Sequence, residues 1–397
     1  MKSSKKTIIF AAISGGVDSA VAAALLKERG YDVRGIFLRE YDLSLPSAFG
    51  DSIHCTQEGD RQSALAVAAA LDMPFEEWDF RKEYERAVIR YMVREYKAGR
   101  TPNPDMMCNS VIKFGLFLKR ALKEGAEYIA TGHYARLSRL PSGGRPLSLP
   151  LSAQTLQGSS ATRLRLTTAR DANKDQTYFL ATLTQDQLEH CLFPIGNLLK
   201  SEVRQKAKEF GLPNWSRKDS QGICFIGKLS MKEFLERMIP KKKGALMTVN
   251  GTRVGTHDGA WYFTIGQRHG LGFGGGDEPY YVVDKDVKKN VVYVDHRKPT
   301  SALYRKELTC IHANWISGKA PSFPFLCSAR TRYRQPLQKC TVASLRASSL
   351  SSRGVTEELL VTFTSSQPAI TPGQFVVFYK GHTCLGSGII ESLTLAY

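Results

Sequence analysis

Residues 14–19, which read SGGVDS, are the first segment whose residue types and spacing are typical of a binding site. Gly15 and Gly16 allow backbone N–H groups to turn inward, and the helical run that follows directs its positive end toward an anion. The lysine that completes the G-x-x-x-x-G-K-[ST] phosphate loop is missing. The segment therefore predicts a phosphate-binding loop of a different type, placed between a strand and a helix.

Residues 101–109, which read TPNPDMMCN, form a second segment of this kind and contain a cysteine. Pro102 and Pro104 stiffen the chain and favour extended geometry just before each of them. Asp105 and Cys108 then stand three residues apart where a helix begins, and a thiol in such a position has a lowered pKa and is a better nucleophile. The alternative is a turn beside a buried cysteine, and the segment alone leaves both interpretations open.

Another cysteine, Cys224, lies in residues 219–227, which read DSQGICFIG. Its neighbours are apolar, so this segment on its own favours a packed core cysteine. The eight cysteines of the chain are far apart and include no CxxC pair. Such spacing argues against a zinc knuckle and against a disulfide-stapled secreted scaffold, and it predicts a reducing cytoplasm or an organelle matrix.

Apolar periodicity places the phosphate loop and the first cysteine on an α/β framework. A strand over 7–13, a helix over 20–29 and a strand over 32–38 form a βαβ unit, whose strands are parallel. Further elements are predicted at 59–71 (helix), 75–80 (strand), 82–98 (helix), 111–124 (helix) and 126–131 (strand). This alternation predicts a doubly wound parallel sheet.

The remaining chain changes character twice. Residues 138–161, rich in Ser, Pro, Gly and Leu, are typical of a loop inserted between two strands, and 175–209 favours helix. From Gly244 onward, turn residues separate short strands, predicted at 261–265, 280–283, 291–294, 358–363 and 374–379. The predicted domains are therefore 1–228 (doubly wound), 229–302 (small, central and largely β) and 303–397 (a C-terminal β-barrel).

The charge of the chain favours a polyanionic partner. Its formal net charge is +18, with 55 basic and 37 acidic residues. Counterions released from phosphates drive such binding, although a basic surface also keeps a protein soluble. Residues 330–334 (RTRYR) suit stacking and phosphate contact, with a solvated strand face as the alternative, and the lysines at 241–243 are typical of a solvated linker. No run of 18 apolar residues predicts a membrane span, and the early first strand leaves no room for a signal peptide.

The loop SGGVDS after a strand resembles the PP-loop ATP pyrophosphatases, a class that includes argininosuccinate, GMP and asparagine synthetases and tRNA-modifying enzymes. With the two cysteine segments, the chain resembles the MnmA/TrmU family of tRNA 2-thiouridylases over nearly its whole length. The shared motifs, in the family's order, are SGGVDS, CTQEGDR (55–61), TPNPDxxCN, TGHYAR (131–136), KDQ (174–176), SxGICFIG (220–227), YFTIGQR (262–268) and RYRQ (332–335).

The resemblance implies a role for individual residues. Cys108 is the nucleophile, Cys224 carries a persulfide, and the two form a transient disulfide. Apart from the resemblance, Asp105 is a candidate general acid or base because it lies one helical turn from Cys108. ATP is held by the loop with the end of the strand before it, and by two further positions. These residues are Ala12, Ile13, Ser14, Gly15, Gly16, Val17, Asp18 and Ser19, with Leu38 and Gly132. The target base meets Asn103, Pro104 and Asp105. The contacts to tRNA are Lys174, Asp175, Gln176, Arg332 and Tyr333.

The implied reaction adenylates the 2-oxygen of the wobble uridine with ATP and replaces it with sulfur, so that AMP and pyrophosphate leave. Cys108 then cleaves the persulfide S–S bond by forming a disulfide with Cys224, or it releases hydrosulfide first. Mg²⁺ is expected with ATP, positioned in part by Asp18, and no metal-ligand cluster or permanently bound cofactor is expected. The implied partners are tRNA, recognised at its anticodon loop, and a persulfide donor, in the bacterial cytoplasm or alternatively in a mitochondrial matrix.

The sequence departs from the family at Ala20, at Leu38, where Met is common, and in the insertion over 139–162, to which no role is assigned. Two other functions compete with thiolation. A PP-loop ligase for a small acid would need neither the basic β domains nor the paired cysteines. A non-catalytic tRNA-binding protein would not need the intact loop together with Asp105 and both cysteines.

Overall fold

Seven strands and eight helices make up the N-terminal half of the computed structural model, which describes residues 6–40, 56–139, 163–219, 230–272, 278–296, 303–345 and 358–392. The strands are β1 (Ile8–Ala12), β2 (Asp32–Arg39), β3 (Phe75–Asp79), β4 (Tyr128–Ala130), β5 (Ala135–Arg139), β6 (Leu164–Thr168) and β7 (Cys191–Leu192). The helices are α1 (Val17–Glu28), α2 (Thr56–Ala70), α3 (Arg81–Tyr84), α4 (Arg90–Lys97), α5 (Pro104–Met107), α6 (Leu118–Lys123), α7 (Gln185–Leu188) and α8 (Lys200–Glu209).

Five of these strands form a parallel sheet in the order β3-β2-β1-β4-β7. All its pairings are parallel, and the apolar run of β1 (IIFAA) lies in the centre, where a strand is covered on both faces. The chain moves outward from β1 to β2 and β3 on one side, and to β4 and β7 on the other. The sheet therefore has its switch point between β1 and β4, where the crevice at the carboxyl ends of the strands binds ligands in such folds.

Two helical stretches of this region contain π-type turns. The residues from Pro104 to Lys123 run through α5, a π-helical segment over Cys108–Phe117, and α6. A second π segment, Glu85–Ile89, joins α3 to α4. Because π turns widen the spacing of side chains along a helix face, they are found frequently at functional sites. Cys108 is the first residue of the longer segment.

The sheet confirms the doubly wound parallel fold, although two local predictions in the chain were wrong. Residues 175–209 were predicted as helical, but they contain a 3₁₀ turn (Thr177–Leu180), two short helices and the edge strand β7, whose two residues are too few to show a period. The predicted strand at 261–265 begins as a 3₁₀ turn, Ala260–Tyr262. That turn is fixed by contacts distant in sequence, since Asn290 Oδ1 accepts a hydrogen bond from the Ala260 N–H at 2.9 Å.

A central four-stranded sheet follows, preceded by helix α9 (Met231–Met238). Its strands are β8 (Gly244–Thr248), β9 (Arg253–His257), β10 (Tyr280–Asp286) and β11 (Val291–His296), in the order β10-β11-β8-β9. Ser230 and Glu233 form a capping box at the start of α9. Both predicted domain boundaries, near 228 and 302, lie outside the described residues.

The C-terminal strands close into a six-stranded barrel, as predicted. They are β12 (Tyr304–Trp315), β13 (Phe325–Arg330), β14 (Gln338–Ser344), β15 (Leu359–Pro368), β16 (Phe375–Lys380) and β17 (Thr383–Ser392). The order β12-β15-β14-β13-β16-β17 is closed by pairing of β17 with β12. The hairpin β5–β6 extends from β17 and flanks the insertion, so the insertion joins two strands as predicted, while residues 140–162 lie outside the described part of the chain.

Candidate active site

The phosphate loop has the backbone that its glycines predict. Gly15 has φ +78°, and a Cβ there would stand 2.2 Å from the carbonyl oxygen of Asp60, so only glycine fits. The Gly15 carbonyl accepts hydrogen bonds from Ser63 Oγ at 2.7 Å and from Asn214 Nδ2 at 2.9 Å. The loop leads from β1 into α1 at the switch point of the sheet. Its shape is therefore held from outside as well as by its own sequence.

Gly132, at the carboxyl end of the neighbouring strand β4, closes the other side of this crevice. A Cβ on Gly132 would lie 2.6 Å from the backbone nitrogen of Ser19. No side chain larger than a hydrogen atom is compatible with this approach. The positions predicted to bind ATP thus meet at one place, with Ala12 to Ser19 at the end of β1, Gly132 after β4, and Leu38 near the end of β2.

A cation that the sequence analysis missed stands at the loop. Lys200 Nζ, at the start of α8, lies 2.7 Å from Asp18 Oδ1 and 2.8 Å from Asp219 Oδ1, and its side chain is only 14% exposed. Asp18 also accepts a hydrogen bond from the Tyr134 hydroxyl at 2.8 Å. Lys200 is 182 residues from Asp18 and lies outside any motif recognised in the sequence, so only the fold could reveal this pairing.

Asp219 is the centre of the ionic cluster beside the loop. Besides Lys200, it pairs with Lys174 Nζ at 2.7 Å and with Arg204 Nη2 at 2.8 Å. Burial acts to raise the pKa of Asp219, but hydrogen bonds from Lys174 and Lys200 outweigh it and lower the pKa to about 2. Asp219 is therefore a fixed anion at neutral pH. It is also the last described residue before the segment that contains Cys224, which lies outside the described residues.

The second part of the site surrounds Cys108. Asn103 caps α5 by accepting a hydrogen bond from the Met106 N–H at 3.1 Å, and Pro104 is the first helical residue, so the helix begins where the prolines predict. Cys108 lies beyond the first turn, where its own N–H bonds within the helix. Its thiol, 5% exposed as a residue, instead faces the carboxylate of Glu40 at the end of β2, with Sγ 3.5 Å from Oε1.

Other titratable groups lie around this thiol. Burial raises the pKa of Asp105; the charge of Lys113 opposes this shift and that of Glu40 reinforces it. Burial, with the charge of Lys113, lowers the pKa of His133 to about 3. The His133 ring is therefore neutral at physiological pH, and its Nδ1 is 2.8 Å from Thr131 Oγ1. The segment predicted as catalytic thus contains one carboxyl whose pKa is raised, and the neutral imidazole of His133 lies outside that segment.

The barrel contacts the residues predicted to meet the target base. Gln374, just before β16, donates hydrogen bonds from Nε2 to the carbonyl oxygens of Thr101 at 2.8 Å and Pro102 at 2.9 Å. Its Oε1 is 3.5 Å from Asn103 Nδ2. Sequence analysis did not single out Gln374, because 271 residues separate it from Asn103. The C-terminal barrel therefore helps to position Asn103 and Pro104.

The residues predicted to contact tRNA from 174–176 are largely bonded within the protein. The Asp175 carboxylate is buried and accepts hydrogen bonds from the Ala169 N–H at 3.0 Å and from Thr177 Oγ1. Gln176 Oε1 accepts a hydrogen bond from the Tyr134 N–H at 2.9 Å. In this structure Asp175 and Gln176 position the segment. Lys174 is the member of the three whose cationic side chain pairs with Asp219, in the ionic cluster beside the loop.

Arg332 and Tyr333 lie in the turn between β13 and β14. Arg332 Nη2 donates to the carbonyl oxygens of Ile265 at 2.8 Å and Ala369 at 3.0 Å, and it joins the central sheet to the barrel. The Tyr333 ring packs on Phe179 with 4.5 Å between ring centroids. A cleft of about 400 Å³ beside this turn is lined by Lys174, Arg330 and Arg334 among other residues. The cleft brings the two predicted tRNA-contact segments together.

Within the described residues, no cluster of three or more metal-binding side chains occurs, and no helix is long and apolar enough to cross a membrane. The glycine-rich loop at the switch point, the buried cysteine that contacts the end of β2 and the closed barrel define a class, namely α/β proteins with a doubly wound N-terminal domain and a C-terminal β domain. Consecutive family models match this chain, described as a tRNA methyl transferase HUP domain (7–228), a tRNA methyl transferase PRC-barrel domain (232–296) and an aminomethyltransferase beta-barrel domain (305–390).

Similar proteins of named function identify the family. The chain is 44% identical over 392 residues to tRNA-specific 2-thiouridylase MnmA 2 of Geobacillus kaustophilus, which covers 99% of this chain and 96% of the relative. It is also 44% identical over 393 residues to MnmA of Bacillus subtilis, covering 99% and 97%. The chain belongs to the MnmA family of tRNA-specific 2-thiouridylases. It is an enzyme that acts on tRNA, and the word methyl in the family descriptions does not describe its reaction.

Proposed function

We propose that this enzyme uses ATP to adenylate the 2-oxygen of the wobble uridine of tRNA and replaces that oxygen with sulfur carried on Cys224. The observation that carries the proposal is the shared edge of the parallel sheet. There the phosphate loop follows β1 and Glu40, which contacts Cys108, follows β2. An activated base and a sulfur-handling thiol must meet, and the carboxyl ends of parallel strands meet at one edge of a sheet.

The phosphate loop fits the triphosphate of ATP. Gly15 leaves no room for a side chain, and the loop leads directly into the start of α1, where backbone N–H groups favour an anion. Lys200 supplies the cation that the loop lacks in its own sequence, and Asp18 is the carboxylate that would hold Mg²⁺. Bound Mg²⁺ would neutralise charge on the leaving pyrophosphate. Leu38 and Gly132 border the same crevice, which suits an adenosine held between β2 and β4.

The chemistry requires activation because the 2-carbonyl of uracil is a poor electrophile with a poor leaving oxygen. Adenylation turns that oxygen into part of AMP, which can leave. The terminal sulfur of the Cys224 persulfide attacks C2, and AMP departs with the oxygen. Cys108 then attacks the Cys224 sulfur, the S–S bond to the transferred sulfur breaks, and 2-thiouridine is released with a Cys108–Cys224 disulfide. An external thiol reductant restores both cysteines.

The tRNA is held by positive charge near the anticodon loop. Support comes from the net charge of the chain and from the cleft lined by Lys174, Arg330 and Arg334. Asn103, Pro104 and Asp105 meet the flipped base, and support for this role comes from Gln374, which bonds the backbone just before them. We propose three domains with these roles: thiolation (1–228), a central adaptor (229–302) and tRNA binding (303–397). The sulfur arrives from a persulfide donor protein in the bacterial cytoplasm.

The test is mass spectrometry of nucleosides from unmodified tRNA incubated with the enzyme, ATP and a sulfur donor. The proposal predicts 2-thiouridine at the wobble position, one AMP and one pyrophosphate for each sulfur inserted, and no product without ATP. Product formed at the same rate without ATP, or release of ADP and phosphate, would contradict the adenylation step. Sulfur at another position of uridine would contradict the assignment of the target atom.

A further inference from the structure

Glu40 contacts the reactive thiol from a different part of the chain. It is the first residue after β2, 68 residues before Cys108, and its Oε1 lies 3.5 Å from Cys108 Sγ. Sulfur hydrogen bonds extend to about 4 Å, so a protonated thiol can donate to this carboxylate. Cys108 is 5% exposed and Glu40 is half-buried, which leaves little room for water to take the place of the carboxylate. The contact therefore belongs to the interior of the site.

The charges that face this thiol come from several elements. Asp105 is on α5, Lys113 is on the π-helical segment, and His133 follows β4. Burial raises the pKa of Asp105; the charge of Lys113 opposes this shift, and the charge of Glu40 adds to it. His133 is a neutral ring. Glu40 has a carboxylate oxygen within hydrogen-bonding distance of Cys108 Sγ, which is the geometry that proton transfer requires.

We propose that Glu40 is the catalytic base that accepts the thiol proton of Cys108 as Cys108 attacks the persulfide sulfur of Cys224. The proposal rests on the sulfur-delivery step described above. In that step the Cys108–H bond breaks and its proton passes to a Glu40 oxygen. The new bond joins Cys108 Sγ to Cys224 Sγ, and the electron pair of the broken S–S bond stays on the sulfur bound to C2. Cys108 Sγ is oxidised from thiol to disulfide sulfur, Cys224 Sγ stays at the disulfide level, and the transferred sulfur is reduced.

Such a base also explains why the thiol does not attack too early. A carboxylate that accepts a hydrogen bond from a thiol stabilises its protonated form, so Cys108 remains a weak nucleophile until the persulfide sulfur is in place. Base and nucleophile are then within reach of each other without a rearrangement of the sheet. Glu40 therefore acts on delivery of sulfur, whereas adenylation at the phosphate loop proceeds without it.

The experiment compares wild-type enzyme, Glu40→Gln, Glu40→Asp and the control Glu83→Gln, which removes the same charge from an exposed site on α3. Three quantities are measured: single-turnover formation of 2-thiouridine, release of pyrophosphate, and the pH dependence of Cys108 alkylation mapped by peptide mass. Glu40→Gln should slow thiolation about 100-fold, the usual worth of a general base, and leave pyrophosphate release within about 2-fold. The tRNA should accumulate as a covalent adduct on Cys224.

The alkylation profile separates proton transfer from simple packing. In Glu40→Gln the pH midpoint of Cys108 alkylation should fall, because the negative charge beside the thiol is gone, and Glu40→Asp should restore much of the thiolation rate. Wild-type thiolation by Glu40→Gln, or an unchanged alkylation midpoint, would overturn the proposal. Equal loss of thiolation and pyrophosphate release in both Glu40 variants would show a structural role and overturn it as well. If the wild-type enzyme itself released no pyrophosphate, the adenylation proposal would fail instead.

Discussion

The phosphate loop and the thiol site lie at the same edge of one sheet, yet they are built in different ways. The loop is six consecutive residues in which Gly15 is required by the short backbone approach of Asp60, and Gly132, after β4, is required by its own approach to Ser19 of the loop. The thiol site draws its groups from the end of β2, from α5 and its π-helical continuation, and from the barrel. The glycine that a close backbone approach requires can be recognised in the sequence. The charged groups around a thiol come from distant positions in the sequence, and only the folded structure brings them together.

The largest loss of activity should come from adding a side chain where the backbone approaches the phosphate loop. Gly132→Ala places a Cβ at 2.6 Å from the backbone nitrogen of Ser19, where neither strand end can move without distorting the loop. We expect thiolation and pyrophosphate release both to fall at least 1000-fold, roughly the loss that follows a displacement of about 1 Å plus lost binding. Quench-flow assays of both products measure it.

The matched control is Gly59→Ala. A Cβ on Gly59 meets nothing within 4 Å, and alanine is the better helix former in α2. This variant should retain wild-type thiolation. Full activity of Gly132→Ala would show that the approach of β4 to the loop is not required for the reaction.

An intermediate effect is expected where the loop depends on the fold. Lys200→Met keeps most of the side-chain volume but removes the cation 2.7 Å from Asp18. We expect pyrophosphate release to slow by about 100-fold, as when one charge-stabilising donor of a transition state is lost. Lys208→Met, on the same helix but exposed over the Trp215 ring, should change the rate less than 2-fold. Equal rates for the two variants would remove Lys200 from the site.

The sequence could predict the phosphate loop but not Lys200, the cation beside it. A comparison of Lys200 with Lys208 shows the physical reason. Both lysines lie on α8 and look alike in sequence; only the packing of α8 beside α1 directs one of them to Asp18. Glu40 and Gln374 were not predicted for the same reason, since each contacts residues that are distant in the sequence. Edge strand β7 and the turn at Ala260 were mispredicted because tertiary pairing, and no local pattern, determines them.

The smallest expected effect concerns stability at the thiol site. Burial raises the pKa of Asp105, so the ionised carboxylate costs stability above that raised value, and the cost vanishes as the pH falls toward the ordinary aspartate value of about 4. Asp105→Asn should therefore raise the melting temperature at pH 8 by about 2–4 °C, with a smaller gain at lower pH, and should impair thiolation.

Scanning calorimetry at several pH values measures this gain. Asp186→Asn, at an exposed position on α7, is the control and should give no gain at any pH. A gain for Asp105→Asn that did not change with pH would show that ionisation of the carboxyl is not its cause.

The most direct test of the central claim, that Cys224 carries the sulfur and Cys108 releases it, is intact-mass analysis of two serine variants after loading with a persulfide donor. Cys108→Ser should gain one sulfur atom, located on Cys224 by peptide mapping. On addition of ATP and tRNA it should release pyrophosphate but no free 2-thiouridine, because no thiol cleaves the S–S bond. Cys224→Ser should gain no sulfur. Sulfur found on Cys108 in the Cys224→Ser variant, or free 2-thiouridine from either variant at the wild-type rate, would contradict the account.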